Sequence, residues 1–350
     1  MPRFTILGSG DPDHPGFNQI IMDLLKTVDA ELKLRSYRTD EELFEAIQDV
    51  DGVTQGGGVS YPRHIVEALP ERVRVIGSGG IGVDFVDVDA ATEYGIVVTN
   101  VPDIFIEEVA DHTMAMFLAA FRRLPEMHRM TVEGEWAKGR DLLSSFPRLW
   151  GQTIGLVSFG NVAKAVARRC HAFGLRVIAY DPYLSELEMS SVGVEPEPSL
   201  IRLLQRSDFV SMHAPFNEET HHMLTNQHFS AMKKSAIFIN NGRGPTVDES
   251  ALITALENAE IAAAALDVFE EEPITADSNN PLVKMSNVIC SPHVASASDR
   301  MRPEALRRMG REIATVLTGR WPRSAVNPGV LPKTDLTRWQ PYPQTRGPNR

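Results

Sequence analysis

Cysteine is scarce in this chain: Cys170 and Cys290 are the two thiols among 350 residues. They form neither a metal-ligand spacing nor a disulfide framework, so the sequence predicts a reducing compartment and two small buried thiols. No stretch approaches the roughly 18 consecutive apolar residues of a membrane span. The N-terminal residues, MPRFTILGSGDPDHPG, hold no long apolar segment. We therefore predict no signal peptide and a cytoplasmic location.

Positive charge is also in deficit. The 35 basic side chains are outnumbered by 46 acidic ones, which gives a net charge of -11, and no basic run stands out. This balance argues against nucleic acids and anionic membranes as partners. Any site that binds an anion has to be built locally from a few side chains. The 43% of apolar and 23% of charged residues are typical of a globular protein.

What the sequence does contain is a regular alternation of β-rich runs and helical patterns. This alternation predicts an α/β fold with parallel sheets and crossover helices, and the length suits two domains. The first series comprises predicted strands at 4–7, 52–54, 73–76 and 96–99 and helices at 17–25, 40–47, 62–69 and 87–94.

A long predicted helix at 107–123 leads from the first series to the second. After it, residues 131–150 show little periodicity, so they are either an arm that packs on a second subunit or a surface loop. The tail from Pro332 is predicted to be a loose strap or disordered. The second series has predicted strands at 153–157, 176–179, 209–212, 236–239, 262–266 and 288–290 and helices at 162–173, 199–205 and 249–258, and one more predicted helix follows it at 303–317.

A dinucleotide-binding turn is predicted where the first strand of the second series becomes a helix. The expected pattern G-x-G-x-x-G reads here Ser158-x-Gly160-x-x-Ala163. The middle glycine, which lets a phosphate approach the backbone, is present, whereas serine at the first position departs from the pattern. A packing turn without a cofactor is the alternative interpretation.

Asp181 strengthens the dinucleotide interpretation because it ends the next predicted strand, 21 residues after Gly160. An acidic residue there accepts hydrogen bonds from the adenosine ribose and repels a 2′-phosphate. The sequence therefore favours NAD over NADP. A capping role for Asp181 is the alternative.

The motifs as a set resemble those of the D-isomer-specific 2-hydroxyacid dehydrogenase family, over about residues 70 to 328. Within that family, the segments Tyr180–Ser185, Asn217–His222 and Thr318–Arg320 resemble the branch of the C-terminal-binding proteins, which are NAD-binding corepressors. The motifs shared with the family are Gly80–Asp87 (GIGVDFVD), Asn100–Pro102 (NVP), Val109–Thr113 (VADHT), the nucleotide turn, Val210–Pro215 (VSMHAP), Asn240–Gly244 (NNGRG), Ala265–Pro273 (ALDVFEEEP) and Ser291–His293 (SPH).

The resemblance implies two Rossmann-like, doubly wound parallel-sheet domains with the cofactor cleft between them. The substrate domain would comprise residues 1–101 and 296–332, and the NAD-binding domain residues 102–295, followed by a tail at 333–350. The resemblance also implies a homodimer that pairs through the nucleotide domains.

The resemblance assigns the chemistry to three side chains. His293 would give and take the proton, since imidazole titrates near neutral pH. Glu272 would favour the imidazolium and orient it, a choice over the neighbouring Glu270 and Glu271 that rests on register. Arg243 would bind the substrate carboxylate and carbonyl as a fork.

Further contacts come from the same resemblance. Backbone N–H groups of Gly80, Ile81 and Gly82 would bind the carboxylate, and Ser78 and Ser296, which depart from the family, suggest a roomier or more polar pocket. We predict no metal site, and His221 and His222 are interpreted as surface or structural residues. The predicted cofactor contacts are Thr113, Phe159, Gly160, Asn161, Val162, Asp181, His213, Ala214, Pro215, Thr220, Asn241, Gly242 and Asp267.

The function predicted from these features is NAD-dependent interconversion of a small D-2-hydroxy acid and its 2-keto acid. Glyoxylate, hydroxypyruvate, 3-phosphoglycerate or a branched keto acid are the candidate substrates, with the phosphorylated one ranked lower. Two alternatives stay open: an NAD(H)-sensing corepressor-like scaffold with little turnover, and a degenerate fold without cofactor.

Overall fold

A computed structural model of the protein describes residues 2–14, 16–37, 39–55 and 59–338. The chain forms two compact units. The first contains the chain up to Ile104 and again from Ser298 onward, and the second runs from Phe105 to Ala297. Among the described residues, no helix combines the length and the apolar character needed to cross a membrane.

Strands and helices alternate along most of the chain. The strands are β1 Phe4–Ser9, β2 Ala30–Arg35, β3 Gly52–Gln55, β4 Val75–Ser78, β5 Val97–Thr99, β6 Thr153–Val157, β7 Arg176–Tyr180, β8 Glu195–Pro196, β9 Phe209–Met212, β10 Ile237–Asn240, β11 Ala263–Leu266 and β12 Val288–Cys290. The α-helices are α1 Gln19–Lys26, α2 Asp40–Ala46, α3 Arg63–Glu67, α4 Val88–Glu93, α5 Ile106–Phe121, α6 Leu124–Val132, α7 Trp136–Asp141, α8 Asn161–Ala172, α9 Glu186–Ser190, α10 Leu200–Arg206, α11 Asn226–Ala231, α12 Glu249–Glu257 and α13 Met301–Leu317.

The first unit is built on a parallel sheet with strand order β2-β1-β3-β4-β5. Neighbouring residues of a strand join different apolar clusters, as Val75 and Ile76 do in β4. Because successive side chains of a strand point to opposite faces, both faces of this sheet are buried. Strands that are buried on both faces consist of nearly continuous apolar residues, and this pattern predicted β1, β3, β4 and β5.

Helix α13 returns to the first unit from the far end of the chain. Its Met309 and Ile313 are buried in the same apolar cluster as Val75 of β4. The helix packs so close to β4 that a Cβ on Gly77 would lie 2.7 Å from Cδ1 of Ile313. Glycine is therefore required at position 77 for this contact.

The second unit contains a larger parallel sheet with strand order β12-β11-β10-β9-β6-β7-β8. Strand β6 pairs with β7 on one side and with β9 on the other. The chain thus reverses its winding direction beside β6, and in open α/β sheets ligands bind outside the carboxyl ends of the strands at such a point.

Residues 131–150, which were predicted to be an arm or a surface loop, are helical over part of their length, and residues 146–150 contain no helix. The helical part comprises the end of α6, α7 and a short 3-10 helix at Leu143–Ser145. Large apolar side chains are exposed here: Val132 (71%), Trp136 (65%), Leu143 (61%) and Trp150 (65%). Their exposure explains the weak periodicity, since no single face of these helices is buried in the chain.

Three other expectations need correction. Strand β2 was not predicted, because its charged residues alternate with buried ones at the sheet edge. The start of the tail is packed, as Leu336 is buried and Thr337 N–H donates to Gly319 O at 2.9 Å; residues 339–350 lie outside the described part. Both thiols are free; Cys170 is buried as predicted, which raises its pKa to about 12, but Cys290 is exposed, so its predicted burial is wrong.

Candidate active site

The three predicted catalytic side chains lie in the second unit, on loops that follow neighbouring strands. Arg243 comes three residues after β10, and His293 comes three residues after β12. Glu272 lies in the loop after β11, which pairs with both strands. The carboxyl ends of parallel strands share one edge of a sheet, so these loops meet.

His293 and Glu272 form an ion pair in which His293 Nδ1 lies 2.7 Å from Glu272 Oε2. The hydrogen bond to Glu272 raises the pKa of His293, against the opposing effects of partial burial and of the positive charge on Arg243. His293 has a left-handed backbone (φ +52°), which is uncommon outside glycine. Its N–H donates to Asp267 O at 2.8 Å, which fixes this turn.

Glu272 is held from the opposite side by its own loop. Its Oε1 accepts a hydrogen bond from the N–H of Phe269 at 2.9 Å. Partial burial alone would raise the pKa of Glu272, but the hydrogen bonds from His293 and Phe269, together with the charges of His293 and Arg243, outweigh burial and lower it. A carboxylate that stays ionised can support an imidazolium beside it.

Arg243 adds a positive charge beside this pair. Its Nη1 donates to Gly242 O at 2.9 Å, and its own carbonyl accepts from Thr246 Oγ1 at 2.6 Å. The next residue, Gly244, approaches the loop of Glu272 so closely that a Cβ there would overlap the carbonyl of Phe269. Glycine at position 244 therefore lets the loops of Arg243 and Glu272 pack backbone against backbone.

Asp267 is fully buried and organises the turn that carries His293. Its carboxylate accepts hydrogen bonds from Ser291 Oγ at 2.6 Å, from Val294 N–H at 2.9 Å and from Ala295 N–H at 2.8 Å. Ser291 Oγ also lies 2.9 Å from Nε2 of His112. Sequence reasoning missed His112 and Ser291, although both lie within the family motifs. The predicted contact of Asp267 with nicotinamide stays a prediction.

The nucleotide turn connects β6 to α8. Gly160 precedes the first residue of α8, and a Cβ on it would meet nothing within 4 Å, so the space above this helix end is open. The first N–H groups of a helix lack partners within the helix and carry partial positive charge. Asn161 and Val162 supply such groups, which fits the binding of a pyrophosphate.

Ser158, the departure from the glycine pattern, has a left-handed backbone with φ +70°. Glycine adopts this conformation without strain, which explains the usual residue at this position. Here the serine hydroxyl donates to Asp181 Oδ2 at 3.3 Å, beside the N–H of Phe159 at 2.9 Å. The hydroxyl thus compensates in part for the strained backbone.

Asp181 lies at the end of β7 in a cavity of about 240 Å³. Its Oδ1 accepts from Tyr183 N–H at 2.9 Å. The cavity is also lined by Glu186, so a negatively charged 2′-phosphate would meet two acidic residues, whereas the third acid of the lining, Glu197, is buried and paired with Arg206 at 2.9 Å. This charge favours NAD over NADP.

The remaining predicted cofactor residues differ in how they are placed. The Phe159 side chain is fully buried in the core, so only its backbone borders the turn. Thr113 is buried, and its hydroxyl donates to Val109 O at 2.7 Å and lies 3.1 Å from the Asn241 amide. Gly242 N–H donates to Asn240 Oδ1 at 3.0 Å. The cofactor contacts assigned to these residues stay predictions.

The segment after β9 carries four more of them. His213 Nε2 lies 2.9 Å from Ser211 Oγ, and burial lowers the pKa of His213 to about 4, so it is neutral near pH 7. Ala214 is buried, Pro215 is exposed, and Thr220 Oγ1 donates to Pro215 O at 2.6 Å. Their predicted roles toward the cofactor are likewise untested.

The predicted carboxylate loop, Gly80 to Gly82, belongs to the first unit. Ser78 is buried beneath it and donates to Gln55 Oε1 at 2.9 Å, while accepting from Gly80 N–H at 3.2 Å. Ser78 therefore supports this loop, and one of the predicted N–H donors already has a partner; the predicted effect of Ser78 on the pocket stays a prediction.

Comparisons with known proteins agree with this geometry. Residues 114–295 match the model of the D-isomer specific 2-hydroxyacid dehydrogenase, NAD binding domain. A glyoxylate reductase of Korarchaeum cryptofilum is 38% identical over 83% of this chain and 86% of its own length. The crystal structure of a glyoxylate reductase from Paecilomyes thermophila superposes with a TM-score of 0.82 at 25% identity, covering 93% of this chain and 99% of that one.

A D-3-phosphoglycerate dehydrogenase of Methanocaldococcus jannaschii is 36% identical over 95% of this chain, but the chain spans only 61% of that relative's length. The finer resemblance to the C-terminal-binding protein branch stays a prediction. The matched NAD-binding model and the extent of the glyoxylate reductase match show that the chain belongs to the D-isomer-specific 2-hydroxyacid dehydrogenase family.

Proposed function

We propose that this protein uses NAD(H) to interconvert a small D-2-hydroxy acid and its 2-keto acid. The observation that carries the proposal is the pairing of His293 with Glu272 at 2.7 Å beside the charge of Arg243, at the carboxyl edge of a sheet that also bears a nucleotide turn. Reduction of a keto acid requires a proton donor and a cationic grip on the acid, and these side chains supply both.

The residues present fit NAD. Gly160 and the start of α8 would hold the pyrophosphate, and Asp181 would bind the adenosine ribose. When bound, NADH supplies the hydride. The protein's own contribution is to orient the cofactor and the acid and to control the proton.

His293 would handle the proton at Nε2, because Nδ1 is committed to Glu272. The raised pKa keeps the imidazole protonated to a higher pH than an isolated histidine. In reduction, His293 gives this proton to the carbonyl oxygen, and in oxidation it takes one from the hydroxyl. Glu272 stays ionised throughout and orients the ring.

Arg243 would bind the carboxylate and the carbonyl oxygen through its planar fork. The N–H groups of Ile81 and Gly82 are the further predicted donors to the carboxylate. Relatives named glyoxylate reductase support a small keto acid as substrate. Relatives named D-3-phosphoglycerate dehydrogenase keep the phosphorylated acid as a second substrate to test.

The exposed apolar side chains between Val132 and Trp150 support a homodimer as part of this proposal. Val132, Trp136, Leu143 and Trp150 are each more than 60% exposed in the single chain. Exposed apolar side chains of this size are stabilised when a second subunit covers them. Light scattering coupled to size exclusion measures the mass directly, and Trp136→Glu should shift it toward that of one chain.

The test of function is loss of NADH absorbance with a panel of 2-keto acids that includes glyoxylate, hydroxypyruvate and 3-phosphohydroxypyruvate. We expect turnover of at least one acid and a fall of about 10²- to 10⁴-fold in kcat for His293→Ala. His64→Gln is the matched control, because His64 also pairs with a carboxylate, that of Asp40 at 2.8 Å, on the surface of the first unit. NADH binding without turnover of any acid would contradict the proposal and favour the scaffold.

A further inference from the structure

A second cluster of chemically competent side chains lies in the NAD-binding unit. His221, His222 and Glu270 each offer one ligand atom, and these atoms all lie within 4.8 Å of one another. The two histidines are adjacent in sequence, whereas Glu270 comes 48 residues after His222. This separation explains why sequence reasoning assigned the histidines to the surface and predicted no metal site.

We propose that His221, His222 and Glu270 bind a divalent transition-metal ion of the zinc class. Two imidazoles and one carboxylate form a common ligand set for zinc, with one position left open for water or an anion. Imidazole nitrogen disfavours Mg²⁺ and Ca²⁺, which take oxygen ligands.

The backbone brings the two imidazoles to the same side. His222 has a left-handed conformation (φ +49°), and the rings of His221 and His222 stack with centroids 4.0 Å apart and planes 18° from parallel. Neighbouring side chains in an extended segment would point in opposite directions. The turn at His222 therefore creates a two-nitrogen arrangement that an extended chain cannot offer.

Both sides of the cluster are braced by hydrogen bonds. His222 N–H donates to Pro245 O at 2.9 Å. Glu270 N–H donates to Glu249 Oε2 at 2.9 Å, and Glu249 N–H returns a bond to Glu270 Oε2 at 3.3 Å. His222 Nε2 lies 2.5 Å from Glu270 Oε1, and a bound ion would take the place of this hydrogen bond.

Solvent can reach the cluster, so an ion can enter it. The side chains of His222 and Glu270 are 35% and 32% exposed, and His221 is exposed. Around a tetrahedral zinc ion with bonds of about 2.0–2.1 Å, ligand atoms lie about 3.3 Å apart. Zinc binding would therefore lengthen the 2.5 Å contact between His222 and Glu270 and bring the exposed His221 ring closer to both.

The cluster is separate from the His293–Glu272 pair but shares a loop with it. Glu270 lies two residues before Glu272, and the N–H of Phe269 holds Glu272 Oε1. An ion bound to Glu270 would restrict the loop that carries Glu272. An ion that binds the folded protein and not the unfolded chain should raise the thermal midpoint of the protein with the logarithm of the free ion concentration, once that concentration exceeds Kd.

The experiment is equilibrium dialysis of the chelator-stripped full chain against zinc chloride, with metal quantified per chain. We expect one high-affinity ion, and a loss of at least about tenfold in affinity for His221→Gln. His221 is the residue to change because it is exposed and its substitution leaves the brace intact. Cobalt(II) provides a second readout, through the intense visible absorption of a four-coordinate site.

Two controls make the outcome decisive. His64→Gln removes a histidine from another histidine–carboxylate pair, and His293→Gln removes the catalytic one. Both should keep full zinc binding. Equal binding by His221→Gln and the protein with all three ligands, or loss confined to His293→Gln, would overturn the assignment. These measurements need no substrate, so they do not depend on the proposed activity.

Discussion

Two histidine–glutamate pairs arise from one run of three glutamates in this protein. Glu272 pairs with His293 at 2.7 Å, and Glu270 pairs with His222 at 2.5 Å. The histidines have nearly the same left-handed backbone, with φ of +52° at His293 and +49° at His222. The exposures of the two carboxylates are equal, at 32%. The pairs are thus almost identical as local structures.

The two pairs differ in which histidine ring nitrogen contacts the glutamate and in which side chain lies beside the pair. His293 uses Nδ1 for its glutamate, and the charge of Arg243 is nearby. His222 uses Nε2, and its neighbour is the imidazole of His221. The His293–Glu272 pair therefore suits proton transfer to a bound acid, and the His222–Glu270 pair suits the binding of a cation. A histidine–carboxylate pair alone does not define a function. The side chain beside the pair does, which is Arg243 for His293 and His221 for His222.

Among variants that keep His293, the largest expected effect comes from Arg243, the cation beside the His293–Glu272 pair. Arg243→Lys keeps the positive charge but removes the planar fork, so kcat/KM for keto acid reduction should fall by about 10²- to 10³-fold. Steady-state kinetics with saturating NADH measure this loss. A fall of less than about fivefold would show that charge alone suffices and that the fork is not used.

A smaller effect separates the two glutamates. Glu272→Gln should lower kcat by about 10- to 100-fold, because the imidazolium loses its ionised partner. Glu270→Gln should instead lower the free energy of unfolding by about 1 kcal/mol, because hydrogen bonds to His222 and to Glu249 N–H weaken. Urea unfolding and kinetics on both variants measure the contrast. Glu271→Gln is the matched control, since Glu271 is exposed and lies between them; equal effects at all three positions would remove the distinction.

The pH dependence of the reaction tests the same pair more finely. Glu272 raises the pKa of His293, and reduction requires the protonated ring, so kcat/KM for reduction should fall as pH rises through this pKa. In Glu272→Gln the fall should occur at lower pH, and the rise of the oxidation rate should shift in the same direction. Profiles that coincide for both proteins would contradict the assigned coupling.

The pair also makes a small, pH-dependent contribution to stability. The raised pKa of His293 means that its contribution is full below pH 6.5 and is lost as pH rises through the folded-state pKa. The lowered pKa of Glu272 means that its contribution is present above pH 4.5 and is lost as pH falls through its folded-state pKa. Urea unfolding should therefore separate the native protein from Glu272→Gln most clearly between about pH 4.5 and 6.5, by no more than about 1 kcal/mol.

The smallest effect concerns a third residue with a left-handed backbone, Ser158. Glycine would relieve a backbone strain of about 1–2 kcal/mol. Two effects oppose this gain: glycine loses more conformational entropy on folding, which costs about 0.5–1 kcal/mol, and the hydrogen bond to Asp181 is lost. These terms nearly cancel, so Ser158→Gly should change the free energy of unfolding by less than about 1 kcal/mol. Ser158→Ala keeps the strain and loses the hydroxyl, so it should be the less stable variant; the reverse order in chemical denaturation would contradict this account.

Prediction from the sequence was most accurate for segments whose pattern of apolar residues matches their burial in the fold. Buried parallel strands read as apolar runs, and the turn at Gly160 and the acid at Asp181 follow them at fixed distances. Sequence reasoning was weakest where partners are distant. The bond of Asp267 to Ser291 and the meeting of Glu270 with His222 depend on which strands are neighbours in the sheet. Helices α6 and α7 were missed because they have no buried face that would give a periodic pattern of apolar residues.

Helix α13 has a consequence for how the protein is synthesised. The strands of the first unit end at Thr99, but the helix that covers Val75 and Val97 begins at Met301. The ribosome must therefore add roughly 200 residues before that face can be covered, which takes about 10–40 s at about 5–20 residues per second. The second unit is continuous and can fold in the meantime. The domain that begins first is thus completed last, and its uncovered face is the expected binding site for chaperones during translation.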